Sequence, residues 1–246
     1  MNEIMAPLKP LDIANGILGL VFVIITMIVG FSIIMKYVKN KNINLFYVGL
    51  AWIFICSGWY GTSTSFIVSF FNGGEGLPLQ AILLINFIPL PIGLLSWMTA
   101  FTNFLYKERQ KLVLISISVF VLVFYILFFS FMIIDVNLIA TKLSAVDTQS
   151  ENFLMTFCLL VFIILLIITG VMFALKTIQL EDPEMKIKGR LLLIAFPSFC
   201  IGGLLDAAMP TTAVSLIIFR IILISSAIEF YGGFILPDWM KKLFKK

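Results

Sequence analysis

Residues 153–175 read FLMTFCLLVFIILLIITGVMFAL, an apolar run that contains no charged side chain. A helix crosses a bilayer with about 20 mostly apolar residues, because each residue adds about 1.5 Å along a hydrocarbon core about 30 Å thick. The same criterion identifies further runs of this kind along the chain. We therefore expect seven membrane-spanning helices, at residues 13–36, 45–70, 78–105, 112–134, 153–175, 190–208 and 211–236.

The composition indicates the same class of protein. Apolar residues make up 61% of the 246 residues and charged residues 12%, whereas a soluble domain has roughly 45–50% and about 25%. So few charges cannot form a water-soluble surface, and lipid has to cover much of the molecule. We predict an all-α, multi-pass protein of the cell membrane with the lipid bilayer as partner. Residues 1–236 form a single seven-helix transmembrane domain, and residues 237–246 form a basic amphipathic cytoplasmic tail.

The residue types that carry most catalysis are scarce. The chain has no histidine, which removes the commonest general base and metal ligand. Cys56, Cys158 and Cys200 lie inside apolar runs and are expected to be small packing residues, not a disulfide framework. Since no paired catalytic carboxylates or nucleophile–base set stands out either, we expect no enzyme activity, no metal and no cofactor.

The net charge of +4 follows the membrane and does not indicate nucleic-acid binding. Cytoplasmic loops of membrane proteins carry an excess of lysine and arginine. Only Lys9 and Lys142 fall on one side of the expected membrane, so this side should be external, with the N-terminus outside and the C-terminus inside. The other side carries Lys36, Lys39, Lys41, Lys107, Arg109, Lys111, Lys176, Lys186, Lys188, Arg190, Lys241, Lys242, Lys245 and Lys246.

Two segments outside the spans carry patterns of their own. Residues 238–246 read DWMKKLFKK, in which apolar pairs recur every four residues with basic pairs between them. This favours a short helix lying in the membrane interface, with a stop-transfer anchor as the alternative. The basic loops and this tail are candidate contacts for a cytoplasmic protein partner. The external segment 135–152 contains scattered apolar residues, which allow either a short lid or a solvated linker.

Inserting an ionisable side chain into a membrane is unfavourable, by about 2.5–3.5 kcal/mol for an arginine at the centre of a helix. Such residues are therefore functional candidates by default. Arg220 lies nine residues into span 7, about 14 Å deep, so we expect it to face the bundle and to have a partner. Asp206, near the outer end of span 6, is within its reach, and Asn86 lies at a similar depth. With Thr62 and Thr64 of span 2, these residues predict a small-ligand site in the outer half of the membrane. A structural network that locks the helices together is the alternative.

Glu229 is the other ionisable residue of span 7. Nine residues at about 100° each put it on the helix face opposite Arg220, so the two side chains need different partners. Ser225, Ser226 and nearby glycines share its face, which indicates close packing there. Glu229 is a candidate proton relay in a transporter, and a satisfied packing residue is the alternative.

Three seven-helix families can be tested against particular residues. Retinal proteins attach retinal to a lysine of the last span, but span 7 contains only Arg220, so covalent retinal is excluded. Eukaryotic seven-helix receptors carry an acidic-Arg-Tyr motif after span 3, where this chain has Glu108-Arg109-Gln110, and their Asn-Pro-x-x-Tyr motif is absent from span 7. Sugar transporters of 3+1+3 helix order match the topology, and a faint likeness between residues 77–87 and 209–219 fits a duplication. Their Pro-Gln signature is absent from spans 1 and 5.

Across most of its length, the chain resembles a set of uncharacterised archaeal seven-helix integral membrane proteins. Two stretches carry this resemblance. They are Asn44-Leu45-Phe46-Tyr47 leading to Trp52, and Glu229-Phe230-Tyr231 followed by Phe234-Ile235-Leu236-Pro237-Asp238-Trp239. The resemblance implies the seven-helix architecture and no known activity.

The sequence leads to two hypotheses about function. The first is a receptor-like or sensory protein that binds a ligand or partner near Arg220, Asp206 and Asn86 and signals through its basic loops and tail. The second is a small-molecule or ion transporter of 3+1+3 helix organisation, in which Arg220 holds an anionic group and Glu229 relays a proton. A cavity sealed at mid-membrane would favour the first hypothesis, and an open pore the second.

Overall fold

The computed structural model describes residues 8–150, 152–209 and 211–244. This description leaves out a few residues of the predicted domain and tail, namely 1–7, 151, 210, 245 and 246. Within the described residues, seven helical units are long and apolar enough to cross a membrane, which confirms the predicted number of spans.

The bounds of the helices follow the expected spans closely. Span 1 is α1 (Pro10–Asn40), and span 2 consists of α2 (Ile43–Ile55), a 3-10 turn (Cys56–Trp59) and α3 (Tyr60–Ser69). Span 3 is α4 (Leu79–Phe87) with α5 (Pro89–Leu105), and span 4 is α6 (Gln110–Ile134). Spans 5, 6 and 7 are α7 (Phe153–Ile178), α8 (Pro183–Ala208) and α9 (Ala213–Phe234). A short helix α10 (Asp238–Phe244) follows, and β1 (Thr141–Lys142) pairs antiparallel with β2 (Thr148–Gln149).

The spans form a closed ring in chain order. Helix α1 packs on α2, α2 on α5, α5 on α6, α6 on α7, α7 on α8 and α8 on α9, and α9 returns to α1. Helix α6 packs chiefly on its two neighbours in this ring and therefore lies at the periphery. The outer faces of the helices expose large apolar side chains such as Ile28, Leu122 and Ile164, as expected for surfaces that lipid covers.

The bundle has two chemically different ends. Because short connections join helices that pack together, consecutive spans are antiparallel and their connections alternate between the two ends. The connections between spans 2 and 3, spans 4 and 5, and spans 6 and 7 lie at what we call the capped end. The connections between spans 1 and 2, spans 3 and 4, and spans 5 and 6 lie at the basic end, where α10 follows span 7.

Span 2 is interrupted by a 3-10 turn at its centre. The Ser57 hydroxyl donates to the Asn86 carbonyl oxygen at 2.6 Å, and the Asn86 side-chain oxygen accepts from the Gly61 N–H at 2.6 Å. A Cβ atom at Gly61 would lie 2.4 Å from the Ile82 carbonyl oxygen, so only glycine allows this close approach. Asn86 of span 3 therefore fastens the break in span 2, and mid-helix 3-10 segments often mark functional sites.

Span 3 is interrupted at Ile88, directly before Pro89. Proline has no N–H to donate to the preceding turn, which weakens the helix at this point. The Ile88 carbonyl oxygen accepts a hydrogen bond from the Tyr125 hydroxyl at 2.6 Å. This bond ties the peripheral span 4 to the ring.

The three cysteines pack as the sequence predicted. Cys56, Cys158 and Cys200 are all buried and free. The Cys200 thiol lies 3.8 Å from the Ile163 carbonyl oxygen of span 5. Their role is to fill space between helices.

The connection between spans 4 and 5 folds over the capped end as a packed cap. Ile139 and Val146 are each only 1% exposed. The Ser65 hydroxyl donates to the Ala145 carbonyl oxygen at 2.5 Å, and the Asn15 side-chain amide donates to the Val146 carbonyl oxygen at 3.3 Å. The cap is thus bonded to spans 1 and 2.

Lys142 fixes the cap to the connection between spans 2 and 3. Its ammonium group donates to the carbonyl oxygens of Glu75 at 2.8 Å and Leu77 at 2.7 Å. Partial burial lowers the pKa of Lys142. With this third attachment, the segment is a lid, and the alternative of a solvated linker is wrong.

Candidate functional site

A cavity of about 260 Å³ lies in the capped half of the bundle. Every span except span 4 contributes to its wall, and residues of the cap complete its lining. Its polar lining includes Asn15, Trp59, Thr62, Asn86, Asp147, Thr148, Ser150, Asp206 and Arg220. Its apolar lining includes Phe87, Phe162, Phe199, Leu83 and Leu94.

Arg220 points into the bundle, as the sequence predicted, and is 5% exposed. One terminal nitrogen donates to the Asn15 side-chain oxygen at 2.9 Å. The other lies 3.4 Å from the Asp206 carboxylate, an ion pair without hydrogen-bond geometry. The Nε atom and this second terminal nitrogen are buried without a hydrogen-bond acceptor among the described residues. The guanidinium is therefore held in place, and two of its three nitrogens remain free to donate hydrogen bonds to a ligand.

Asp206 is fixed from a second side by Trp59. The indole N–H donates to the same carboxylate oxygen that faces Arg220, at 2.7 Å. The indole ring is itself held between Phe22, with ring centroids 4.9 Å apart, and Phe199, at 6.0 Å. Trp59 is the last residue of the 3-10 turn, so the break in span 2 positions the group that orients Asp206.

Asp147 enters the cavity wall from the cap, a contribution that the sequence reasoning missed. Burial raises the pKa of this carboxyl group, the neighbouring Asp206 adds to the rise, and a hydrogen bond with Thr211 partly offsets it. Among the described lining residues, the ionisable side chains are Arg220, Asp206 and Asp147. Two carboxylates against one guanidinium give the cavity one net negative charge when all three are ionised.

The other predicted ligand-binding residues differ in where they lie. Asn86 lines the cavity, but its side-chain oxygen is already used by Gly61. Thr62 also lines it, and its hydroxyl donates to the Trp59 carbonyl oxygen at 3.1 Å. Thr64 is exposed on the helix surface and donates to the carbonyl oxygen of the preceding turn. The structure does not bring Thr64 to this cavity.

Glu229 lies away from the cavity and away from Arg220, as its helix face predicted. The Ser225 hydroxyl donates to one of its carboxylate oxygens at 2.8 Å. The other oxygen is buried without a partner among the described residues. Glu229 is therefore a separate, half-satisfied polar group.

A layer of aromatic rings closes the cavity at mid-depth. Trp52 lies 3.9 Å from Phe230 and 5.3 Å from Phe199, measured between ring centroids. Phe196 lies 4.7 Å from Phe230 and 4.9 Å from Trp97. The space that remains within this layer is only about 10 Å³. Among the described residues, this layer therefore lies between the cavity and the basic end and leaves little room for a small molecule.

Among the described residues, no three His, Cys, Asp or Glu side chains cluster as metal ligands. No protein-family model matches this chain, and no match to a curated protein was found. The resemblance to archaeal seven-helix proteins stays a prediction.

Proposed function

We propose that this chain is a receptor-like membrane protein whose capped-end cavity binds a small ligand with an apolar body and a cationic head. The carboxylate excess of the cavity carries this proposal. Asp206 forms the ion pair with Arg220, and Asp147 is a second carboxylate that forms no ion pair among the described residues, so the cavity can attract a positive group. Aromatic walls around a cation add a further attraction, and mostly apolar pockets with a few polar groups are typical ligand sites.

The closed base of the cavity supports a receptor over a transporter. A transporter needs its binding site to open towards both sides of the membrane in turn. The rings of Trp52, Phe196 and Phe230 fill the space below the cavity. A bound ligand would leave by the way it entered.

A continuous series of ring contacts supports signalling from the cavity to the basic end. Trp59 and Phe199 lie 6.0 Å apart, Phe199 and Trp52 5.3 Å, and Trp52 and Phe230 3.9 Å. Phe230 then stacks on Phe234 at 6.1 Å, at the last turn of span 7. Packed side chains with two discrete arrangements can carry coupling between distant sites. We expect a ligand that shifts Trp59 to change the packing at the basic end.

The basic residues support an orientation with the capped end outside and the basic end in the cytoplasm. In this orientation α10 lies at the cytoplasmic interface. Lys241 of α10 pairs with Glu184 at 2.8 Å, and this contact raises the pKa of Lys241. A cytoplasmic protein partner would meet α10 and the adjacent basic loops.

Three molecules of similar size test the ligand class: phenethylamine, phenethyl alcohol and phenylpropanoate. Isothermal titration of the purified protein should give the highest affinity for the amine and the lowest for the carboxylate. Asp147→Asn should weaken amine binding about tenfold, because one ionic hydrogen bond is lost. Asp135→Asn is the matched control, since Asp135 is exposed on the same segment outside the cavity. Tighter binding of phenylpropanoate, or no binding of any of the three, would refute the proposal.

Transport remains the second candidate, and one observation favours it. The unpaired oxygen of Glu229 is buried inside span 7, where a carboxyl group could take up and release a proton. A transporter would move substrate across proteoliposomes in response to a pH gradient, and Glu229→Gln would abolish this movement. Substrate movement that persists in Glu229→Gln would remove the proton-relay role.

A further inference from the structure

A second cavity, of about 360 Å³, opens at the basic end of the bundle. Its polar rim includes Lys36 of span 1, Lys176 of span 5 and Lys188 of span 6. Its floor is apolar, with Phe104 and Phe173 among the residues that form it. Every span except span 4 contributes to this cavity, so it lies on the axis of the ring.

The charge of this cavity differs in sign from that of the capped-end cavity. Among its described lining residues there are three lysines and no aspartate or glutamate. Glu184, which lies near the rim, is bonded to Lys241 of α10 at 2.8 Å. Among the described residues, Lys176 is bonded to the neutral Gln179 side chain, at 3.3 Å. The described lining therefore has an excess of positive charge, and Glu184, the carboxylate beside it, is shared with Lys241.

Lys36 of span 1 and Lys188 of span 6 line the same cavity. Two ammonium groups at short range repel, and the repulsion is strong where solvent is partly excluded. Lys36 is held there because it donates to the carbonyl oxygens of Phe234 at 3.0 Å and Ile235 at 3.5 Å, at the end of span 7. An anion between the two lysines would relieve the repulsion.

We propose that the basic-end cavity binds a phosphate group attached to an apolar moiety. The lysines would hold the phosphate as point charges, and the apolar moiety would rest on Phe104 and Phe173. Because Lys36 donates to carbonyl oxygens at the end of span 7, the packing of that helix would be sensitive to the bound anion. The phosphate group could belong to a soluble organic phosphate or to a phospholipid head group.

Naphthyl phosphate is a suitable probe, because it joins a phosphate to an apolar ring system. We would reconstitute the full chain in nanodiscs of phosphatidylcholine alone and titrate it with naphthyl phosphate or, as the uncharged comparison, naphthol. Lys188→Gln should weaken naphthyl phosphate binding about tenfold, as expected for the loss of one ionic contact. Lys186→Gln, an exposed lysine one half-turn away on the same helix, is the matched control and should bind like the wild type.

Nanodiscs that contain phosphatidylglycerol separate the two sources of the phosphate. Competition by this lipid in the wild type, lost in Lys188→Gln, would assign the site to a lipid head group. Unchanged naphthyl phosphate affinity would assign it to a soluble phosphate. Lys176→Gln provides a second variant, and circular dichroism verifies that each variant is folded. The proposal is overturned if naphthyl phosphate does not bind saturably, if naphthol binds equally well, or if Lys186→Gln and Lys188→Gln weaken binding equally.

Discussion

The two halves of the bundle use the same kinds of charged side chains in opposite ways. In the capped half, the one buried arginine is paired with Asp206 and Asn15, and the cap adds Asp147. In the basic half, Lys36 and Lys188 lie in a cavity without a carboxylate in its described lining. We propose that the ligand preference of each cavity depends on the charge left after internal pairing. Arg220 considered alone would have indicated an anion site in the capped half, whereas the paired charges favour one in the basic half.

Arg220→Ala should give the largest effect, because it leaves the mostly buried Asp206 without its ionic partner. Removing one member of a buried pair typically costs about 3–5 kcal/mol. Arg190→Ala is the control, because Arg190 is exposed at the basic end of span 6. Denaturant unfolding of both purified variants measures the difference. A loss below about 1 kcal/mol for Arg220→Ala would mean that the pair does not hold the capped half together.

A pair of glycine substitutions tests the break that positions Trp59. Gly61→Ala should cost about 1–3 kcal/mol, because the added Cβ atom would meet the Ile82 carbonyl oxygen at 2.4 Å. Gly58→Ala should leave the stability unchanged or slightly raised, since nothing lies within 4 Å of its Cβ position. Thermal unfolding of the two variants checks this order. Equal losses would show that the close approach at Gly61 does not matter.

The pH dependence of stability tests the placement of Asp147. Its pKa is raised in the folded protein, so its protonated form favours folding. This contribution is fully present below the ordinary aspartate pKa of about 3.9 and is lost as the pH rises through the raised value. The neutral side chain of Asp147→Asn should keep this stabilising contribution at all pH values. The variant should therefore be more stable than the wild type at neutral pH. The free energy of unfolding of wild type and variant is measured between about pH 4 and pH 7. The same pH dependence in both would contradict a buried Asp147.

Lys241→Gln should give the smallest effect. The ion pair between Lys241 and Glu184 is exposed to solvent, and such pairs add little to stability. We expect faster hydrogen exchange in α10 with an unchanged unfolding midpoint, and the difference in exchange should shrink at high salt. A clear drop in the midpoint would mean that α10 is part of the folded core.

The seven spans could be predicted because a bilayer requires long, uninterrupted apolar runs. From the depth of Arg220 along span 7 we could also predict that its side chain faces the bundle and pairs with Asp206. Depth alone does not fix which side of a helix a residue occupies, and for this reason Thr64 was expected in a site that it does not reach.

The sequence analysis missed three site residues, and two of them required tertiary information. Asn15 gave a usable signal, since it is the only amide or charged side chain between Asp12 and Lys36 in span 1. Trp59 faces Asp206 because of a 3-10 turn that the hydrophobic pattern does not encode. Asp147 reaches the cavity because the cap is bonded to other elements far away in the chain.

Binding and uptake of phenethylamine, measured in the same preparation of sealed proteoliposomes, test the central claim most directly. We expect saturable binding that Asp147→Asn weakens, together with uptake no greater than in protein-free vesicles. Protein-dependent uptake above that background, lost in Glu229→Gln, would contradict it, because substrate would then cross the aromatic layer that we describe as closed.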